Sequence, residues 1–381
     1  MVNNSKDTLM KVLRGDARRG DPVPNFSGMG SITLHGIQEL GYRFNEIHVD
    51  ARKMADAAAS THRLFGFESA IVPFDIGVVA ESLGATVKYY EKADQGQIIY
   101  PTMTRKVIDR AIVNVPEGLS EADVKTFVTK EIERQITNYE LQTPPDIANT
   151  GRIPIVLEAI RILKRELGDA VAIGSWTLGP FTEVGQVMDL EVLLKMSAKK
   201  PDVVKRHLSF MVDYLDKVLN LYIEAGADFV TVREMGATSS ILSPRMFKSL
   251  VLPALQDLFG RVKRVPRVLH ICGDTNPIVE LMAESGANAL SVDQMNRLSE
   301  TRAKLPNVVL LGNYKPFGAP FCEGAPEEVD AMIKAAIDQG ADAVWPGCDI
   351  WPVVPVENMK AMMDAMKKYG GGDHGNSRTS G

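Results

Sequence analysis

The sequence predicts an α/β protein of the TIM (β/α)8-barrel class with N-terminal additions. Three observations predict it. From about residue 150 onward, short apolar runs alternate with amphipathic helical stretches, the pattern of a parallel sheet with crossover helices. A motif recurs at three helix-to-strand junctions: Ala225-Gly226-Ala227-Asp228-Phe229-Val230, Ser285-Gly286-Ala287-Asn288-Ala289-Leu290 and Gln339-Gly340-Ala341-Asp342-Ala343-Val344. Each glycine suits the left-handed conformation that ends a helix. Lastly, the residues that carry chemistry stand at strand C-termini, which converge on one face of a barrel. A doubly wound sheet gives the same alternation, and that shared position is what favours the barrel.

Taken in order, residues 6–19 read as a short amphipathic helix ending in a basic loop. Residues 23–29 read as a first strand that runs into Gly28-Met29-Gly30. An Ala-rich helix over 50–65 carries Met54 and Leu64 on its apolar side, and residues 69–74 form a buried strand. Residues 86–90 and 97–104 suggest a hairpin excursion. Leu119, Val124, Phe127, Val128 and Ile132 have the spacing of a helix over 119–140. A Pro-Pro pair marks 139–151 as a surface loop. Helix 153–167 and strand 170–176 follow. A long helix over 201–225 has one apolar stripe, from Val203 and Val204 to Leu219 and Tyr222. Beyond it the chain alternates: strand 228–232, helix 244–258, strand 267–272, helix 276–285, strand 288–292, helix 296–304, strand 308–312, helix 325–339, strand 342–346 and helix 356–368. The Gly-rich polar stretch 370–381 predicts a disordered tail behind a single domain over 1–369.

Composition narrows the function. The chain has 381 residues, 45% hydrophobic and 24% charged, an ordinary globular balance. Its net charge of −5 and the lack of a Lys/Arg run argue against nucleic acid. No apolar run approaches the ~18 residues of a membrane span, and the polar start reads as no signal peptide. The cysteines are Cys272, Cys322 and Cys348, too few for a disulfide framework. Together these predict a cytoplasmic protein with reduced thiols.

The chemistry centres on Arg267-Val268-Leu269-His270-Ile271-Cys272-Gly273 and Trp345-Pro346-Gly347-Cys348. His270 and Cys272, two apart on a strand, point to the same side. Cys348 ends another apolar strand after a Pro-Gly turn. If the strand ends meet, a His/Cys/Cys set surrounds one point. Zinc takes such a set, and a catalytic zinc keeps one position open. The plainer reading makes the cysteines small core residues and the histidine a hydrogen-bonded one. Cys322, in a loop, reads as incidental. Asp293 ends strand 288–292 and is a candidate displaceable carboxylate ligand or, more plainly, a capping acid. Arg233 and Glu234 stand at the same rim, Arg233 as a substrate contact and Glu234 as a catalytic acid that orients the substrate, or the two together as a salt-bridged rim pair. Trp176, Gln294, Asn313 and Tyr314 are candidates for lining the pocket. Two thiolates cancel the charge of zinc, which suits activation of sulfur or alkyl transfer better than water activation.

Leu269-His-Ile-Cys-Gly273, Leu290-Ser-Val-Asp-Gln294, Leu311-Gly-Asn313, Ala325-Pro-Glu-Glu-Val329 and Pro346-Gly-Cys-Asp-Ile350 with Pro355-Val-Glu-Asn358 resemble the uroporphyrinogen decarboxylase superfamily. Within it they resemble the zinc methyltransferase branch, typified by methylcobamide:coenzyme M methyltransferases. The likeness spans roughly 6–368. It implies a TIM barrel with zinc held at the mouth by His270, Cys272 and Cys348. It also implies methyl exchange with the cobalt of a corrinoid, in methanogenesis or O-demethylation. No Asp-x-His-x-x-Gly corrinoid motif is found, so the corrinoid is expected on a partner protein. True decarboxylases carry an Arg-rich N-terminal motif, whereas Pro22–Gly30 has no arginine, which argues against porphyrinogen decarboxylation.

Two departures stand out. The coenzyme M enzymes usually have Glu where this chain has Asp293, and an Asp-Pro turn where it reads Val232-Arg-Glu-Met-Gly236. A methoxylated or otherwise methylated donor is therefore as strong an expectation as a coenzyme M-type thiol. The competing functions are a metal-dependent hydrolase or decarboxylase on the same barrel, and a non-catalytic zinc-stabilised scaffold.

Overall fold

The computed structural model describes residues 5–18 and 20–371. Its strands are β1 (Ser69–Val72), β2 (Thr86–Lys88), β3 (Thr102–Arg105), β4 (Ala172–Leu178), β5 (Phe229–Arg233), β6 (Arg267–Ile271), β7 (Ala289–Val292) and β8 (Val309–Leu311). Six of them form one sheet in the order β1-β4-β5-β6-β7-β8, every pair parallel. β2 and β3 make the separate antiparallel hairpin expected from the sequence.

Two expected strands, 23–29 and 342–346, are reduced to extended segments that close the ring through single bridges. Leu311 bridges Ala343, and Asn25 bridges Val344. The N–H of Phe26 donates to the carbonyl of Val344, and that of Glu68 to the carbonyl of Asn25. Pro24 and Pro346 have no N–H to donate, which limits a full ladder there.

The recurring motif has a structural reason. Gly226, Gly286 and Gly340 all have positive φ. The residue two further on clasps the preceding strand in the ring. The N–H of Asp228 donates to the carbonyl of Ile173, and its carboxylate accepts the Ile173 N–H. Asn288 clasps Arg267 and Asp342 clasps Leu310 in the same way. Glu68, two residues after Gly66, uses the same device on Asn25 at the seam.

Inside the barrel, Phe26, Met29, Ile71, Trp176, Phe229, Val268, Leu311 and Trp345 form one apolar cluster. Leu9, Met10, Val12 and Leu13 of the N-terminal helix Ser5–Leu13 join it and plug the base. The helix 201–225 holds its expected bounds. The helix at 119–140 runs Glu121–Asn138 and buries only Ile132 and Ile136, with Leu119 exposed ahead of its Ser120 cap. Leu64 is likewise exposed, because alanines form the packed face of its helix. The strand expected at 170–176 is displaced to 172–178. Two helices the sequence reading passed over, Pro180–Val187 and Leu190–Lys199, follow it.

Gly370, expected to open the tail, is tied down: its carbonyl accepts the Val23 N–H at 2.8 Å. Residues 372–381, the rest of that expected tail, lie outside the described residues. No helix among the described residues is long and apolar enough to cross a membrane.

Candidate metal centre at the barrel mouth

β6 delivers its tip to the mouth as its alternation requires. His270 is fully buried, and Cys272, two residues on, lies at the same point. Cys348 arrives from the segment that closes the ring. His270 Nε2 is 2.9 Å from Cys272 Sγ, and the two sulfurs are 3.7 Å apart. All three donor atoms lie within 4.8 Å of one another. Two Zn–S bonds of ~2.3 Å at a tetrahedral angle separate the sulfurs by roughly 3.8 Å, so the sulfur spacing fits a shared ion. Ser291 Oγ, 2.9 Å from His270 Nδ1, leaves Nε2 as the free donor nitrogen.

The two thiols sit too close to ionise together. A hydrogen bond from Cys272 outweighs burial and pulls the Cys348 thiol down, while the same contact, with burial, pushes Cys272 up. One sulfur thus carries the negative charge and the other keeps the proton, the arrangement a cation would replace. Gly347 lets Cys348 approach: a Cβ there would lie 2.3 Å from Gln294 Oε1.

Arg233 stands beside the thiols. It ends β5 in register with His270 and is 2% exposed. Its guanidinium carbon lies 4.5 Å from the Trp176 ring centroid, and it donates to Asp349 at 2.5 Å. Burial opposes its charge, but Asp349 and then the two thiols hold it cationic. Trp176 is itself anchored by an indole N–H donated to the Pro73 carbonyl. The structure therefore brings Arg233 and Trp176 to the metal ligands, with Asp349 as a third member that the sequence reading did not assign. Asp349 also accepts the Gly30 N–H at 2.6 Å.

Other candidates fall elsewhere. Glu234 is fully buried and turned away: its carboxylate accepts the Phe181 and Thr182 N–H groups and the Thr182 hydroxyl. It caps the helix 180–187, an anion at a helix N-terminus. The expectation of a substrate-orienting acid at 234 is corrected, because successive strand residues face opposite sides. Tyr314 is also corrected. Its ring packs on Phe321 in the outer cluster with Val329 and Met359, not at the mouth.

Asp293 is at the rim, but its Oδ1 accepts the Met295 N–H at 2.8 Å, and it is not among the clustered donors. Asn313 spends its amide on the carbonyls of Asp293 and Asn296 and so ties the β7 and β8 loops together. Cys322 contacts the Pro316 carbonyl, outside the cluster.

Two further residues escaped the sequence reading. Ser291 had a signal, as a polar residue inside an apolar strand with the parity of Asp293. Glu183 had none. It is fully buried, neither carboxylate oxygen has a partner, and burial followed by the nearby Glu234 pushes it up to about 8.

Barrel, mouth and donor set together define a class. The chain belongs to the uroporphyrinogen decarboxylase (URO-D) family, whose profile matches residues 4–134 and 119–369. Its relatives narrow this further. The methylcobamide:CoM methyltransferase MtbA of Methanosarcina mazei is 28% identical over 366 residues, covering 96% of this chain and 98% of its own. MtaA of Methanosarcina barkeri is 28% identical over 371 residues, with the same coverage. A solved methyltransferase from Methanosarcina mazei superposes with a TM-score of 0.81 at 27% identity, over 96% of this chain and 99% of that one.

Proposed function

We propose that this chain is a zinc-dependent methyltransferase that moves a methyl group between a small substrate and the cobalt of a separate corrinoid protein. The observation that carries the reading is the convergence of His270 Nε2, Cys272 Sγ and Cys348 Sγ at the barrel mouth. These three would hold the ion, and the sulfur spacing and the proton shared by the thiols fit it. Bound there, zinc supplies Lewis acidity that keeps a substrate sulfur as thiolate near neutral pH or polarises a substrate heteroatom. Cys272 and Cys348, both ionised, would cancel the ion's charge and favour alkyl transfer over water activation.

The chain's own groups do the rest. Ser291 fixes the His270 ring, and Arg233 on Trp176 offers a cationic wall beside the thiols. Asp293, Gln294 and Asn313 shape the rim around the substrate, with Asp293 as the candidate displaceable carboxylate. The relatives' names support a coenzyme M-type thiol as acceptor, and the departures at Asp293 and Arg233 support a methoxylated or methylated donor. The reduced thiols suit the cytoplasm.

The test supplies metal-replete protein with methylcobalamin and coenzyme M in one arm. The other arm contains Co(I) cobalamin with methoxylated arenes and methylamines. Cobalt absorbance follows both. Turnover in either arm, lost with zinc in Cys272→Ser, is the expected outcome and also fixes direction. Hydrolysis without any corrinoid, or full turnover and full zinc in Cys272→Ser, would sink the reading.

A further inference from the structure

A cavity of about 470 Å³ opens at the other end of the barrel, around the N-terminal ends of β5, β6 and β7. It falls in the range of roughly 300–1,000 Å³ typical of small-molecule sites. Arg14, Lys164, Lys263, Arg264 and Arg267 line it, against the single carboxylate of Asp228, in a chain whose net charge is −5.

Cations are expected at this face to some extent, because helix C-termini gather there and favour them within their last turn. That accounts for Lys164, in the last turn of the helix Ile153–Leu167 and paired with Asp228 at 2.7 Å. Arg264 has Glu224 at 3.4 Å. Arg14, Lys263 and the Arg267 guanidinium also stand at helix ends, those of the helices Ser5–Leu13 and Leu252–Arg261, but none of the three has a carboxylate partner among the described residues. Arg267 opens a strand, and its half-buried guanidinium meets only neutral acceptors: Asn288 Oδ1 and the carbonyls of Phe259 and Val262. Arg14 and Lys263 have no side-chain partner among the described residues. Three cations without a carboxylate partner thus reach one cavity from three separate elements.

We propose that this cavity binds a small molecule through a di- or triphosphate group. The charge spread across Arg14, Lys263 and Arg267 matches several anionic oxygens held apart, and arginine forks suit phosphate geometry. The inference does not depend on the reaction at the mouth.

Calorimetric titration of the zinc-loaded chain with inorganic pyrophosphate tests it, with zinc content measured before and after to exclude chelation. One saturable site per chain is expected, weakened by added salt. In an Arg14→Ala/Lys263→Ala double variant the affinity should fall by about tenfold or more. Both side chains are exposed and unpartnered, so that variant should keep its circular dichroism and melting. No saturable binding at millimolar pyrophosphate would overturn the proposal. So would equal affinity in the double variant, or citrate binding as tightly as pyrophosphate.

Discussion

At the base of the barrel, Asp228 and Asp342 are clasped by backbone amides and by lysine or arginine, and Leu9 and Leu13 fill the barrel's end. At the mouth, Gln294 Oε1 and Arg233 Nε are buried without a partner, and two thiols are held in contact. The base cations that lack partners are exposed or half-buried, where water still reaches them. The base is built as a stable closure. The mouth holds polar groups in an arrangement that costs stability and leaves donors free for a ligand.

This contrast can be broken or sharpened in three places. The largest effect should come from Glu183, buried without a partner on the helix 180–187 that follows β4. Its carboxyl is raised from 4.5 to about 8, so the folded state holds the proton more tightly than the unfolded chain. Its stabilisation is complete below about pH 4.5 and disappears as pH rises through about 8. That is a decline of up to about 1.4 kcal/mol per pH unit across the window. Glu183→Gln should remove this part of the decline and gain on the wild type in urea unfolding as pH rises from 5 to 8. A gain that does not change with pH would contradict the buried-proton account.

Next comes the base. Leu13→Ala opens a void in the plug and should cost about 2–5 kcal/mol, read from chemical denaturation. Its folded fraction should keep full metal binding and methyl transfer. Loss of metal in this variant would mean that the two ends are not separable. The smallest effect tests the mouth's own supports. Ser291→Ala should leave melting nearly unchanged and weaken zinc by about 10–100-fold, measured by chelator competition. Unchanged affinity would remove Ser291 from the site.

Much of this was legible in the chain. The alternation of β4 to β8 with helices gave the parallel ring, and the i, i+2 spacing of His270 and Cys272 placed an imidazole and a thiol on one side of β6. Both follow from strand geometry, which is local. The glycine motif was visible as well, but its clasp on the neighbouring strand was not, since Asp228 and Ile173 are far apart in sequence. Asp349 lay in plain view beside Cys348 and went unassigned, because only the fold brings it to Arg233.

By itself, then, the sequence determined the order of the elements, the donor pair on β6 and the helix stops at Gly226, Gly286 and Gly340, because periodicity and backbone preference act over a few residues. Tertiary structure alone decided that Cys348 meets Cys272, that Arg233 faces the mouth while Glu234 turns to cap the helix 180–187, and that Tyr314 belongs to the outer cluster. Those outcomes depend on which strands become neighbours in the ring and which face of each is turned inward, and ring closure fixes both at once.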